Sequence, residues 1–261
     1  MSSRNEKLEA FGRLLDVLDR LRVECPWDAK QTNDSLRPNT IEEVYELSEA
    51  LISDDQEMIK KELGDVLLHI LFYAKIGVEK GNFDIKEVCD TLSDKLIFRH
   101  PHVFGDTKVS GTKEVEQNWE QIKLKEKGGN KTVLSGVPMS LPPLIKAYRI
   151  QEKAANVGFD WDNADDVWDK VDEELAELRY EITNQSPHEA QEEELGDFLF
   201  SLVNMARKQG LNADTALERT CHKFTRRFNY VEAQAHATNR HLSEMTLDEM
   251  DALWDEAKAQ E

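Results

Sequence analysis

Apolar residues recur at helical spacing along almost the whole chain, beginning with Leu8, Phe11, Leu14, Leu15, Leu18 and Leu21. That spacing is the signature of one buried helix face, so it predicts a mostly helical protein. Thr40 with Glu43, and Asp84 with Glu87, carry the spacing of a capping box and mark two helix starts. Asp54 and Asp55 predict a short turn before a helix over 56–79, with Gly77 and Gly81 at its fraying end. Gly128 and Gly129, then Pro138, Pro142 and Pro143, interrupt the pattern. They place a boundary near residue 135, between domains 1–135 and 136–261. Helical spacing then resumes, with Val167, Val171, Leu175, Leu178 and Ile182 on one stripe and Asn163 or Asp165 available as its N-cap.

An internal repeat explains this organisation. Glu62, Leu63, Gly64 and Asp65 return as Glu194, Leu195, Gly196 and Asp197, 132 residues later. The echo continues through Val66, Leu67, Ile70, Leu71 and Ala74, which are answered by Phe198, Leu199, Leu202, Val203 and Ala206. Upstream, Glu42, Glu43 and Glu46 are matched by Glu173, Glu174 and Glu177 at an offset of 131, and Trp27-Asp28 by Trp161-Asp162 with a further shift. The chain therefore reads as all-α, with tandem duplicated helical-bundle domains.

Composition narrows the function. A chain of 261 residues, 39% hydrophobic and 33% charged, has the size and core for two globular domains. A formal net charge of −19 repels a phosphate backbone, which argues against a nucleic-acid polymer as partner. The longest nearly apolar run, Val66 to Ala74, contains His69 and falls far short of the roughly 18 residues of a membrane span. The residues after Met1 form no apolar signal region, so a cytoplasmic location is expected. Cys25, Cys89 and Cys221 are scattered and odd in number, and are expected to be ordinary reduced thiols.

Each half carries E-E-x-x-E on one helix and E-x-x-D on the next. The turn between them is so short that the helices must be antiparallel neighbours. Glu174 and Glu177 then share one face, Glu194 and Asp197 another, and four carboxylates converge. Such a cluster repels itself unless a cation neutralises it, and an oxygen-only donor set favours Mg²⁺ or Mn²⁺. The chain has no Glu-x-x-His pattern, which weighs against a di-iron bundle. On a helical wheel Glu174 flanks its apolar stripe, whereas Asp197 points away from Leu195, Leu199 and Leu202. Asp197 therefore joins a site only by facing another helix, such as one from a second subunit. Gly64 and Gly196, each costing about 1 kcal/mol inside a helix, imply that something approaches closely there.

These residues resemble the MazG-type nucleoside triphosphate pyrophosphohydrolases. The resemblance spans nearly the whole chain. It includes Cys25-Pro26-Trp27-Asp28 with Gln31-Thr32, the acid motifs of both halves, 99–106 (RHPHVFGD), 156–161 (NVGFDW) and Lys223-Phe224-x-Arg226-Arg227. It implies an all-α tandem protein that dimerises and hydrolyses nucleoside triphosphates to the monophosphate and pyrophosphate with Mg²⁺. Carried over to this sequence, Glu174, Glu177, Glu194 and Asp197 would be metal ligands, and Glu43, Glu46, Glu62 and Asp65 a possible second site.

Lys223, Arg226 and Arg227, at i, i+3 and i+4, form one basic face suited to holding a phosphate tail. Lys170 is a further substrate contact implied by the resemblance, and Trp254 a candidate for stacking on the base. Water, deprotonated with help from Glu173 or Glu174, is expected to attack the α-phosphorus. In the first half Lys95, Phe98, Arg99 and His100 stand where the second has its basic face, so the second domain is expected to be the main catalytic one.

Other classes fit less well. A P-loop needs a Gly-Lys dipeptide, and none occurs. A Nudix motif would require other residues than Glu189 and Asp197. An EF-hand built on Asp160, Asp162 and Asp165 lacks its turn glycine. The remaining alternative is a non-catalytic nucleotide-binding or protein-interaction helical dimer.

Overall fold

In the computed structural model of the chain, residues 1–111, 114–115, 118, 122, 132–161 and 163–260 are described. Gly128, Gly129 and Asp162 lie outside them. Contacts divide the chain into two compact units, Met1–Lys108 and Val109–Glu261, and the regular elements among the described residues are all helical.

The first unit comprises α1 (Arg4–Glu24), a 3₁₀ turn (Asp28–Lys30), α2 (Asn33–Ser53), α3 (Gln56–Glu79), α4 (Ile85–Arg99) and the single turn α5 (Pro101–Phe104). α2 and α3 form an antiparallel hairpin against which α1 and α4 pack. Asp54 makes the turn between them by adopting a left-handed φ of 54°. Asp55 then caps α3, its Oδ1 accepting from the amides of Glu57 and Met58 at 3.0 and 3.1 Å. The Asp84–Glu87 capping box starts α4 as expected.

Thr40–Glu43 is not a helix start. Thr32 caps α2 with Ser35, and the helix runs on through Pro38. Thr40 is already mid-helix and donates its hydroxyl hydrogen to Leu36 O. Its Oγ1 also meets Tyr73 Oη at 2.6 Å and His69 Nδ1 at 2.9 Å, which ties α2 to α3. Gly77 is no fraying end either. It is buried within α3 against Phe83, and the left-handed residue beyond the helix is Gly81. Leu18, Leu36, Leu71, Phe72 and Ile76 form the core, flanked by Phe11, Leu14, Leu15, Leu67, Tyr73 and Ile85.

The second unit comprises a 3₁₀ turn (Leu134–Gly136), α6 (Pro143–Asn156), α7 (Ala164–Thr183), α8 (His188–Lys208), α9 (Ala213–Ala237) and α10 (Leu247–Ala259). Pro143 opens α6, and Asn163 caps α7 by accepting from the Asp165 amide. α7 and α8 repeat the α2–α3 hairpin, α6 and α9 pack on α8, and α10 packs on α9.

Val167, Val171 and Leu178 are buried along the expected α7 stripe, but Ile182 at its end is exposed. On α8 the expected inward stripe is turned outward. Leu195 and Leu199 are 44% and 45% exposed, while Ser201, Val203, Asn204 and Ala206 are buried. The wheel misassigned this face because the buried side of α8 carries polar residues. Nor does anything among the described residues approach Gly64 or Gly196: a Cβ at either would meet none of their atoms within 4 Å, so the inference of close approach fails there within each unit.

Candidate functional site

The two hairpins bring their acids together as the spacing requires. In the second unit, one carboxylate oxygen from each of Glu174, Glu194 and Asp197 lies within 4.8 Å of the other two. In the first, Glu43, Glu62 and Asp65 do the same. Glu177 and Glu46, the fourth acid of each set, stand outside these groups of three. Glu194 faces Glu177 across the hairpin, where both line a shallow recess with Tyr180 and Glu181.

Mutual repulsion is legible in the acidities. Burial, then the charges of Glu177, Asp197, Glu174 and Glu181, hold the Glu194 carboxyl above the ordinary glutamate range. Burial, then Asp65, Glu46 and Glu62, do the same to Glu43, with Lys61 opposing them. Carboxylates arranged this way are hard oxygen donors at the separation a divalent ion can bridge, so the residues present fit Mg²⁺ or Mn²⁺.

The units differ in their own cation. In the second, Lys170 on α7 contacts Glu174 at 2.6 Å and Glu173 at 3.1 Å, and these bonds, Glu174 first, raise its pKa. Glu174 is buried and Glu173 exposed. In the first, Lys61 on α3 lies 2.8 Å from Glu62, 3.6 Å from Asp65 and 3.9 Å from Glu46.

Beside the second acid cluster lies a cavity of about 480 Å³ between α6, α7 and α8, within the usual range of ligand pockets. Glu174, Asp197 and Lys170 form one part of its wall. Phe159, Trp161, Val167 and Phe200 supply apolar surface, and Gln151, Ser201, Asn204 and Arg207 supply polar groups. Asp160 binds Arg207 Nη2 at 2.6 Å and Lys208 Nζ at 3.0 Å. Burial pushes its pKa up, but those two cations outweigh burial and leave it below the ordinary value. Arg207 also donates to Asn204 Oδ1 from Nε and Nη2, at 3.1 and 2.7 Å.

Gln151 is 7% exposed. Its Nε2 donates to Phe200 O at 2.8 Å, while its buried Oε1 has no hydrogen-bond partner among the described residues. An unmet buried acceptor costs about 1–3 kcal/mol.

The basic residues are placed elsewhere. Lys223, Arg226 and Arg227 lie on α9, and the cavity lining includes none of them. Trp254 packs on the same helix, its ring 4.9 Å from that of Phe224 and beneath the Arg227 guanidinium at 5.7 Å. The cavity's own aromatic walls are Phe159, Trp161 and Phe200.

Sequence reasoning assigned no role to Gln151, Asp160, Asn204, Arg207 or Lys61. Asp160 did fall inside a recognised motif. Gln151 left a fainter trace, as the polar member of the stripe Leu144, Ala147, Gln151, Ala155 on α6.

Fold and site together define an all-α protein with a duplicated carboxylate hairpin and one acid cluster opening on a partly open cavity. The family model described as the MazG nucleotide pyrophosphohydrolase domain matches it twice, over residues 31–104 and 165–232. The chain is 42% identical over 260 residues to the nucleoside triphosphate pyrophosphohydrolase of Escherichia coli K12, covering 97% of this chain and 99% of the relative. It is 43% identical over 251 residues to the Thermotoga maritima nucleoside triphosphate pyrophosphohydrolase/pyrophosphatase MazG, covering 95% of each. It is 47% identical over 264 residues to the uncharacterized protein YabN of Bacillus subtilis, covering 99% of this chain but 54% of that protein. The chain belongs to the MazG nucleotide pyrophosphohydrolase family.

Proposed function

We propose that this protein hydrolyses nucleoside triphosphates to the monophosphate and pyrophosphate, and that the second unit is the main site. The observation that carries this is the junction of the Glu174–Glu194–Asp197 cluster with the cavity that shares Glu174 and Asp197 in its wall. A phosphate chain and the rest of a nucleotide need two such neighbouring environments, one of carboxylates that a divalent ion can bridge to phosphate and one largely apolar.

Glu174, Glu194 and Asp197 would hold Mg²⁺, with Mn²⁺ a possible substitute, and Glu177 would complete the set from across the hairpin. When bound, the ion supplies a Lewis acid for the phosphate oxygens and offsets the charge that carboxylates and triphosphate would otherwise oppose to each other. Lys170, tethered to Glu173 and Glu174, orients them and reaches the substrate phosphates. Glu173 lies outside the group of three, which suits it to accept the proton of the water attacking the α-phosphorus. Lys223, Arg226 and Arg227 would hold the departing pyrophosphate, with Trp254 positioning Arg227 rather than stacking on the base.

The protein would act as a homodimer in the cytoplasm. Leu195, Leu199, Tyr180 and Ile182 stand exposed on the α7–α8 hairpin, a concentration of apolar side chains suited to a second copy. No described helix is long and apolar enough to cross a membrane.

The direct test incubates the protein with each nucleoside triphosphate and Mg²⁺. Monophosphate and pyrophosphate are expected, whereas diphosphate and inorganic phosphate would refute attack at the α-phosphorus. A non-catalytic dimer would release neither. Glu174→Ala or Asp197→Ala should abolish release while helical circular dichroism persists. Activity that survives both and vanishes with Glu43→Ala would move the site to the first unit.

A further inference from the structure

We propose that the cavity beside the second acid cluster receives the nucleobase, and that Gln151 selects bases carrying an exocyclic amino group. The inference rests on the reading of the second unit as a nucleoside triphosphate site and extends it to base choice.

Gln151 is fixed in one orientation. Phe200 O can only accept, so the amide nitrogen must face it, and the 2.8 Å bond from Nε2 leaves Oε1 as the group still unmet. Several other polar side chains of the wall are already engaged, and Asp197 belongs to the acid cluster. Arg207 is bound to Asp160 and Asn204, Lys170 to Glu173 and Glu174, and Ser201 donates to Phe198 O. Gln151 Oε1 is the buried polar atom of this wall left without a partner among the described residues, and it calls for a donor from outside the protein.

The flat apolar walls around it, Phe159, Trp161 and Phe200, suit the faces of a heterocycle. Edge chemistry decides between bases. One Gln151 amide hydrogen is committed to Phe200 O, and Oε1 is the unmet acceptor. An exocyclic amino group can donate to Oε1, which an analogue lacking only that amine cannot.

The test compares nucleotides differing by that amine alone: ATP with purine riboside triphosphate, and CTP with 2-pyrimidinone riboside triphosphate. In the wild-type protein kcat/KM for pyrophosphate release should be about 10-fold higher for the amino form of at least one pair. Gln151→Met, which keeps the volume and removes the acceptor, should bring that ratio close to one. Circular dichroism and the thermal midpoint check that this variant is folded, and the wild-type comparison stands without it. Ratios within about 2-fold for both pairs, with normal turnover, would overturn the inference and leave the proposed function standing. So would a preference for ATP over 2′-deoxy-ATP that Gln151→Met abolishes, because the donor would then be a ribose hydroxyl. If no triphosphate is hydrolysed, the proposed function falls. Calorimetric binding of AMP against purine riboside monophosphate then decides the Gln151 assignment alone, equal affinity overturning it.

Discussion

Lys61 Nζ donates to Oε1 of Glu62 at 2.8 Å, and at the matching place in the second hairpin, 132 residues on, the lysine is replaced by Glu193. The second cluster draws its cation instead from Lys170, whose counterpart in the first hairpin, 131 residues earlier, is Asn39. The duplication has kept the acids and moved the lysine from one helix to the other. Lys61 reaches Glu62, Asp65 and Glu46 at once, so its single charge is shared among three of the four acids that would face a metal. Lys170 engages Glu174 but leaves Glu194 and Asp197 to each other, and burial, then the charges of Glu177 and Asp197, hold Glu194 protonated to a higher pH.

Removal of Lys61 should therefore make the first unit more dependent on divalent ions. Lys61→Met is expected to lower its thermal midpoint without Mg²⁺, because buried Glu62 loses its partner, and to enlarge the upward shift that Mg²⁺ produces. Differential scanning calorimetry with and without Mg²⁺ reads both. An unchanged Mg²⁺ response would show that the lysine does not compete with the ion.

Two helix glycines should respond oppositely to alanine. Gly196 sits mid-helix with room for a methyl group among the described residues, so Gly196→Ala should stabilise the second unit by about 1 kcal/mol through helix propensity alone. At Gly77 the same Cβ would lie 2.8 Å from Phe83 O and 2.9 Å from its ring. Gly77→Ala should thus destabilise the first unit by about 1–3 kcal/mol. Urea unfolding measures both. Loss of pyrophosphate release in a stabilised Gly196→Ala protein would show that the surface at Gly196 meets substrate or a second subunit.

The helical fold, the repeat and the convergence of the acids were legible because each rests on local periodicity and spacing, which a helix turns directly into geometry. The helix over 56–79 matches α3 to the residue. Two kinds of feature were not legible. The buried face of α8 was hidden because its inward residues, Ser201 and Asn204 among them, are polar, while Leu195 and Leu199 face out. Partners distant in sequence, such as Asp160 with Arg207 or Gln151 with Phe200, arise only when three helices pack, and no spacing rule encodes them. Repeat positions show the same divergence: Asn204 in the cavity wall answers Phe72, a core residue of the first unit.

His69 should make the first unit acid-sensitive. Thr40 gives its hydroxyl hydrogen to Leu36 O, so the 2.9 Å contact leaves Thr40 Oγ1 to accept an Nδ1–H from His69. Burial lowers the His69 pKa below the ordinary 6.5, with Asp65 pulling weakly the other way. Above that value neither folded nor unfolded chain binds the proton, and stability is unaffected. As pH falls below 6.5 the unfolded chain takes up a proton that the folded one refuses, and stability declines until the folded pKa is passed. An NMR titration should place the His69 midpoint below 6.5. His69→Gln should flatten the pH dependence of unfolding in that window, and an unaltered slope would assign the sensitivity elsewhere.

Asp160 holds the far wall of the cavity by its bonds to Arg207 and Lys208, whose side chains are 12% and 18% exposed. Asp160→Asn keeps the shape and removes the charge, leaving two cations side by side with little solvent. Breaking a largely buried pair from one side costs about 3 kcal/mol, and that loss should appear in denaturant unfolding of the second unit. Freed from Asp160, Arg207 keeps its bonds to Asn204 but loses the anchor that fixes its direction. KM for nucleoside triphosphates should therefore rise more than kcat falls, since the acids around Glu174 are untouched. Arg207→Met in the Asp160→Asn background removes the stranded guanidinium and should recover part of the lost stability. A double variant no more stable than Asp160→Asn would mean that the cost lies in packing around Trp161 rather than in the unpaired charge.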